Sequence, residues 1–88
     1  MTNPLIKMPE IGDLVVIKYS ARRENIYPIG KTGLIKKVEG LDFEKWFGNV
    51  EIDWTDGNVT YMQIINFIQM TNVAIDGKFV SWSNPDGG

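Results

Sequence analysis

The stretch NVEIDWTDG, residues 49–57, is the strongest local indication of the fold. Its apolar residues alternate with polar ones, which is the period of a strand with one buried face. Asp56–Gly57 follows at once and supplies the positive φ angles that a tight hairpin turn requires, and the apolar pattern resumes at 59–62. The stretch therefore predicts a β-hairpin whose inward-facing residues are Val50, Ile52 and Trp54.

Two further strands are predicted before this hairpin. DLVVIKY at 13–19 is rich in β-branched residues, and TGLIKKVE at 32–39 alternates imperfectly. In the second segment the alternation places Leu34, Lys36 and Val38 on one side, so that a lysine falls between two apolar neighbours. That conflict predicts a β-bulge or a strand end at Lys36.

The remaining segments predict short elements. LDFEKWFG at 41–48 is interpreted as a wide loop that carries large side chains. Residues 62–67 predict a single helical turn, which leads into a short strand at 68–71. Asp76–Gly77 predicts a second hairpin turn within 72–82.

About five short strands without a long helix predict an all-β fold, a small antiparallel barrel. We expect an N-terminal arm at 1–10, the barrel at 11–71, an added C-terminal hairpin at 72–82 and a flexible tail at 83–88. The chain of 88 residues is long enough for one small domain.

Composition removes most catalytic chemistry. The chain has no cysteine and no histidine, so the usual nucleophiles, general bases and metal ligands are missing. Asp53 and Asp56 are a poor acid–base or metal pair, because Asp53 is on the solvent phase of its strand and Asp56 has a turn role. We therefore predict that the chain is not an enzyme and has no catalytic residue, no metal and no cofactor.

The composition predicts a soluble globular domain, since 43% of the residues are hydrophobic and 23% are charged. Its longest apolar runs, such as Leu14 to Ile17, are far shorter than the roughly 20 residues of a membrane helix. Residues 1–10 contain Pro4, Lys7 and Pro9 and do not resemble a secretory signal. These features predict a cytoplasmic protein with no membrane partner.

A family resemblance is carried by Gly12-Asp13-x-Val15-x-Ile17, by Gly30-Lys31-x-Gly33-x-Ile35, by Val50-x-Ile52-x-Trp54-x-Asp56-Gly57 and by the return at Ile64, Phe67 and Ile68. Over about 11–70 this pattern resembles SH3-like barrels of the KOW and Tudor kind. The resemblance implies that a strand pair, one helical turn and a last short strand close the sheet. We interpret Gly30 as a sharp turn and Gly33 as a close strand approach. Small proteins of this pattern are common among tailed-phage genes, which implies a location in the host cytoplasm or the virion.

Aromatic residues are the first candidates for function, because similar barrels form a peptide groove or an aromatic cage from such loops and hairpins. The resemblance implies a protein-protein interaction module, such as a phage accessory, virion or host-factor-inhibiting protein, with a protein partner or as a homo-oligomer. Trp46 and Phe47 could equally be core residues, and the C-terminal hairpin could cover a sheet edge or present one to a partner. The predicted protein-binding residues are Tyr27, Phe43, Trp46, Phe47, Tyr61 and Trp82.

Uneven charge supports an alternative function. Residues 18–37 hold six basic residues and one acid, whereas the chain as a whole has a net charge of −2. These residues could form a KOW-like nucleic-acid-binding module, or a solvated loop that pairs with acids elsewhere. Interleaving with Glu39, Glu51 or Asp53 would count against nucleic acid. The predicted nucleic-acid-binding residues are Lys18, Arg22, Arg23, Lys31, Lys36 and Lys37.

Overall fold

The computed structural model describes residues 5–19, 28–42 and 44–83. Within them the chain forms six strands and one short helix, which confirms the all-β class. In chain order these are β1 (Leu14–Ile17), β2 (Thr32–Asp42), β3 (Phe47–Trp54), β4 (Val59–Gln63), α1 (Ile64–Met70), β5 (Thr71–Ile75) and β6 (Lys78–Ser81).

All six strands belong to one antiparallel sheet with the order β4-β3-β2-β1-β5-β6. The first four strands are neighbours in chain order, and the chain then returns through α1 so that β5 pairs with the free side of β1. The sheet is not closed into a barrel, because β4 and β6 lie at its two edges. The predicted second hairpin is confirmed and belongs to this same sheet, with Asp76 and Gly77 at φ 53° and 80° in its turn.

The predicted bulge at Lys36 is confirmed. Ile35 pairs with Ile52 and Lys37 pairs with Glu51, so Lys36 is an extra residue in β2. The bulge reverses the alternation, and Ile35 and Val38 therefore both face inward. The prediction that Leu34 and Val38 share one side was wrong for this reason, and Leu34 faces outward.

The wide loop predicted at 41–48 was wrong. β2 continues to Asp42, which pairs with Phe47 at the start of β3, so the connection is a short hairpin turn. Trp46 in this turn has a φ of 56°. Leu41 and Trp46 of this segment are partly buried and pack against the core.

The helix is longer than predicted, and the strand after it begins later than 68. Ile64, Phe67 and Ile68 are the buried residues of α1, with the spacing of one helical face. At the end of α1 the backbone N–H and the hydroxyl of Thr71 both donate to the carbonyl oxygen of Phe67. Because these bonds close the helix at Thr71, the strand starts there.

The core lies between α1 and the inner face of the sheet. Val50, Ile52 and Trp54 are buried there, as the sequence predicted. Opposite ends of the chain meet at this core, because Leu5 is buried and forms a bridge with Ser83. The ammonium of Lys7 lies 2.7 Å from both carboxylate oxygens of Asp13, which fastens the N-terminal segment to the start of β1. The predicted tail beyond Ser83 lies outside the described residues.

Candidate protein-binding surface

The predicted protein-binding residues that the structure describes differ in how far they are exposed. Phe47 and Tyr61 are the exposed ones, with 64% and 56% of their surface accessible. Trp46 is half-buried and packs against the core. Trp82 is fully buried against Phe67, with ring centroids 5.3 Å apart, and so has no surface to offer a partner. Tyr27 and Phe43 lie outside the described residues.

Phe47 and Tyr61 lie on the same side of the sheet. On β3 the residues at 47, 49 and 51 alternate with inward-facing Val50 and Ile52, and Glu51 pairs with Tyr61 of β4. Asn49 pairs with Gln63, between the two aromatic residues. Phe47, Asn49 and Gln63 also line a shallow depression of ≈ 320 Å³ at this end of the hairpin. We name this the β3–β4 outer surface, formed by Phe47, Asn49, Glu51, Tyr61 and Gln63.

Two carboxylates fix the phenol of Tyr61. Its hydroxyl donates to Glu39 Oε1 at 2.9 Å, and Glu51 is its cross-strand neighbour. The hydrogen bond to Glu39, with a smaller contribution from Glu51, raises the pKa of Tyr61 from 10.0 to about 12, because both carboxylates favour the neutral phenol. An exposed aromatic ring is thereby held in one orientation.

The Tyr61 phenol is expected to titrate near pH 12, and Glu39→Gln is expected to move its pKa back toward 10.0. Since the folded pKa is the higher one, the stability that this group contributes is complete below pH 10.0 and is lost as pH rises toward about 12. NMR titration of the Tyr61 ring carbons measures this shift. An unchanged pKa in Glu39→Gln would show that the hydrogen bond is absent in solution.

The predicted basic residues that the structure describes do not form one positive face. The Lys31 side chain is only 8% exposed and lies 2.7 Å from Asp56 Oδ2. Lys36 and Lys37 each lie 3.7 Å from a carboxylate, of Glu51 and Glu39 respectively. Lys18 is exposed and reaches the Ser81 hydroxyl at 3.4 Å. Arg22 and Arg23 lie outside the described residues.

An exposed apolar row crosses the outer face, and sequence reasoning missed it. Leu14 and Leu34 are directly opposite each other, and Leu34 is opposite Asp53, which in turn is opposite Val59. The bulge in β2 hid this row, because simple alternation placed Leu34 on the same side as Val38. Asp53 interrupts the row, as Asn49 and Gln63 separate the two aromatic residues of the β3–β4 outer surface.

Other site chemistry is limited in the described part of the chain. Ranges 5–19, 28–42 and 44–83 contain no group of three acidic, histidine or cysteine residues that could hold a metal ion. Asp56 accepts hydrogen bonds from Lys31 and the Asn58 backbone, and the Lys31 contact lowers the pKa of this carboxyl. Of the helices in these ranges, none has the length and apolarity to span a bilayer.

Comparison of the chain with protein-family models, with curated proteins and with solved structures finds no match. The proposals below therefore rest on the geometry of the chain itself.

Proposed function

We propose that this chain is a non-catalytic protein-protein interaction module that contacts its partner through the β3–β4 outer surface. One observation carries the proposal: Phe47 and Tyr61 are both more than half exposed on the same side of one hairpin. Exposed aromatic residues are enriched in protein interfaces, where they bury large area with little loss of side-chain entropy. The hydrogen bond to Glu39 lowers that entropy cost further for Tyr61.

Membership of the SH3-like family of the KOW or Tudor kind remains our proposal, with a sheet that is open at β4 and β6 in place of a closed barrel. It is supported by the strand pair β3–β4, the short helix that follows and the return of β5 to β1. On this proposal the chain is a phage accessory, virion or host-factor-inhibiting protein, located in the host cytoplasm or the virion.

Protein is favoured over nucleic acid as the partner because three of the four described candidate lysines lie beside acids. Glu39 and Glu51 lie beside Lys37 and Lys36, and Asp56 holds Lys31. A phosphate backbone needs several cations that are free to replace its counterions. We therefore expect no binding to a DNA duplex at moderate salt.

Phe47→Ser is expected to weaken partner binding by about thirtyfold, the effect of losing a hot-spot aromatic worth roughly 2 kcal/mol. The tagged chain, immobilised, is used to capture proteins from a lysate of the source cells, and the retained proteins are identified by mass spectrometry. Phe79→Ser is the matched control, since Phe79 is also exposed but lies on β6 at the other edge of the sheet.

The proposal requires a specific protein that the wild type and Phe79→Ser retain and that Phe47→Ser loses. Retention of the same proteins by all three chains would place any interaction elsewhere and overturn the assigned surface.

A further inference from the structure

The two edge strands of the sheet differ in how well their backbone is shielded from pairing with another strand. β6 begins with Lys78, and the residues that follow it are covered by the N-terminal segment, since Ile6 N–H donates to the Trp82 carbonyl at 2.8 Å. β4 has the sequence VTYMQ, with no charge and no proline. Edge strands in native sheets are usually blunted by lysine, proline, a bulge or a covering segment. In the described ranges β4 shows none of these devices.

The backbone of β4 has three residues whose polar groups face the open edge. Trp54 N–H donates to the Asn58 carbonyl at 2.8 Å, so this is a hydrogen-bonded pair at the start of the β3–β4 ladder. Hydrogen-bonded and non-hydrogen-bonded pairs alternate in an antiparallel ladder. With the observed register, the N–H and C=O groups of Val59 and Tyr61 and the N–H of Gln63 therefore point away from β3, whereas the Gln63 carbonyl, at the N-cap of α1, accepts the first hydrogen bond of the helix.

The residues of β4 itself indicate the kind of strand that can pair here. The carboxylates nearest to β4 on the outer face are those of β3, Glu51 opposite Tyr61 and Asp53 opposite Val59, and Glu51 already lies 3.7 Å from the Lys36 ammonium. β4 adds no charge of its own at the edge. The edge therefore fits an uncharged strand with β-branched and aromatic residues, and β4 is itself such a strand.

We propose that β4 pairs antiparallel with β4 of a second copy of this chain, about a two-fold axis at Tyr61. Tyr61 lies opposite Tyr61 of the second copy, and Val59 lies opposite Gln63. These three pairs form four backbone hydrogen bonds, two between the Tyr61 residues and one from each Gln63 N–H to the Val59 carbonyl of the other copy, and they join the two sheets into one. The inference rests on the proposed function, because it names a second copy as a partner of the surface that contains Tyr61.

The pairing is expected to be weak. A five-residue edge buries less than the roughly 1,200 Å² of a standard stable interface, so the dimer forms in a concentration-dependent manner. Strand β3 of one copy lies three strand spacings from β3 of the other, about 14 Å, so repulsion between the two Glu51 carboxylates is screened at physiological salt.

Gln63→Pro is the sharpest test, because it removes one outward N–H from each copy while Gln63 already has a φ of −65° that proline adopts. The loss of two of four hydrogen bonds is expected to weaken dimerisation at least tenfold. Sedimentation equilibrium of the full chain over a concentration series measures the change. Thermal unfolding checks that the variant is folded.

Val59→Lys is the second variant, because a lysine on the edge strand opposes pairing. Leu34→Lys is its matched control, since Val59 and Leu34 are each 49% exposed on the outer face, but Leu34 lies in the interior of the sheet. Hydrogen exchange gives an independent readout: the amides of Tyr61 and Gln63 are expected to exchange more slowly as concentration rises.

The inference is supported if the wild type and Leu34→Lys dimerise and both Gln63→Pro and Val59→Lys do so at least tenfold more weakly. A monomeric wild type at millimolar concentration overturns it, as does a dimer that both variants leave intact. A monomer that still captures a protein in a Phe47-dependent manner would overturn the inference and leave the proposed function standing.

Discussion

Trp82→Ala is expected to lower the free energy of unfolding by about 3–5 kcal/mol, the largest loss of any single truncation that we predict for the C-terminal hairpin. The side chain is fully buried and packs on Phe67. Its indole N–H donates to the Thr71 hydroxyl at 2.9 Å, and that hydroxyl donates to the Phe67 carbonyl at 2.7 Å. Removing the ring leaves a cavity and breaks this chain of hydrogen bonds. Urea denaturation followed by far-UV circular dichroism measures the loss.

Phe79→Ala is the control for this prediction, because Phe79 lies in the same hairpin but faces outward and is 42% exposed. Its cost is expected to stay below about 1 kcal/mol. Trp82→Phe keeps most of the packing and removes the donor, for an expected cost of about 1–2 kcal/mol. If Trp82→Ala were as mild as Phe79→Ala, the hairpin would not be part of the core in solution.

The C-terminal hairpin could be predicted only in part from the sequence. Asp76–Gly77 and the flanking apolar residues were sufficient to predict the turn and the pairing. Alternation also showed that Val80 and Trp82 share one face and that Phe79 lies on the other. It could not show which face is covered, because that depends on the return of β5 to β1, a contact between residues more than fifty positions apart. Trp82 was therefore assigned to a binding surface when it is a core residue.

The β3–β4 hairpin, by contrast, was predictable because it does not depend on long-range contacts. Its alternation, its turn and its inward face are all local, and Val50, Ile52 and Trp54 are buried as expected. The exposure of Phe47 was not predictable, since residues 41–48 were interpreted as a wide loop in which Phe47 could equally be a core residue. Only the pairing of Asp42 with Phe47 decides that the ring faces outward.

Gly33→Ala is the second prediction with a large effect, an expected loss of about 1–3 kcal/mol of unfolding free energy. Gly33 lies opposite Trp54, and a Cβ there would come within 2.7 Å of the Trp54 ring, 2.9 Å of the Asp53 carbonyl and 2.9 Å of an Ile52 methyl group. The ring cannot easily move aside, because its indole N–H donates to the Thr60 hydroxyl at 2.7 Å. The close strand approach predicted at Gly33 is thus confirmed.

A double-mutant cycle tests whether the clash with the ring is the cause. In a Trp54→Leu background, Gly33→Ala is expected to cost at least about 0.5 kcal/mol less, because the nearest of the three contacts is gone. The Asp53 carbonyl remains, so the relief is partial. A cost that does not depend on residue 54, or one below about 0.5 kcal/mol in the native background, would contradict the crowding.

The same cycle decides how the segment Gly30-Lys31-Thr32-Gly33 should be interpreted. Its glycines and lysine superficially resemble an anion-binding loop, but the Lys31 ammonium lies 5.6 Å from the centre of the Trp54 ring and 2.7 Å from Asp56. Lys31 and Gly33 therefore both lie beside the Trp54 ring, and the segment helps to hold that ring in place in the core. Coupling between positions 33 and 54 is the expected signature of that role.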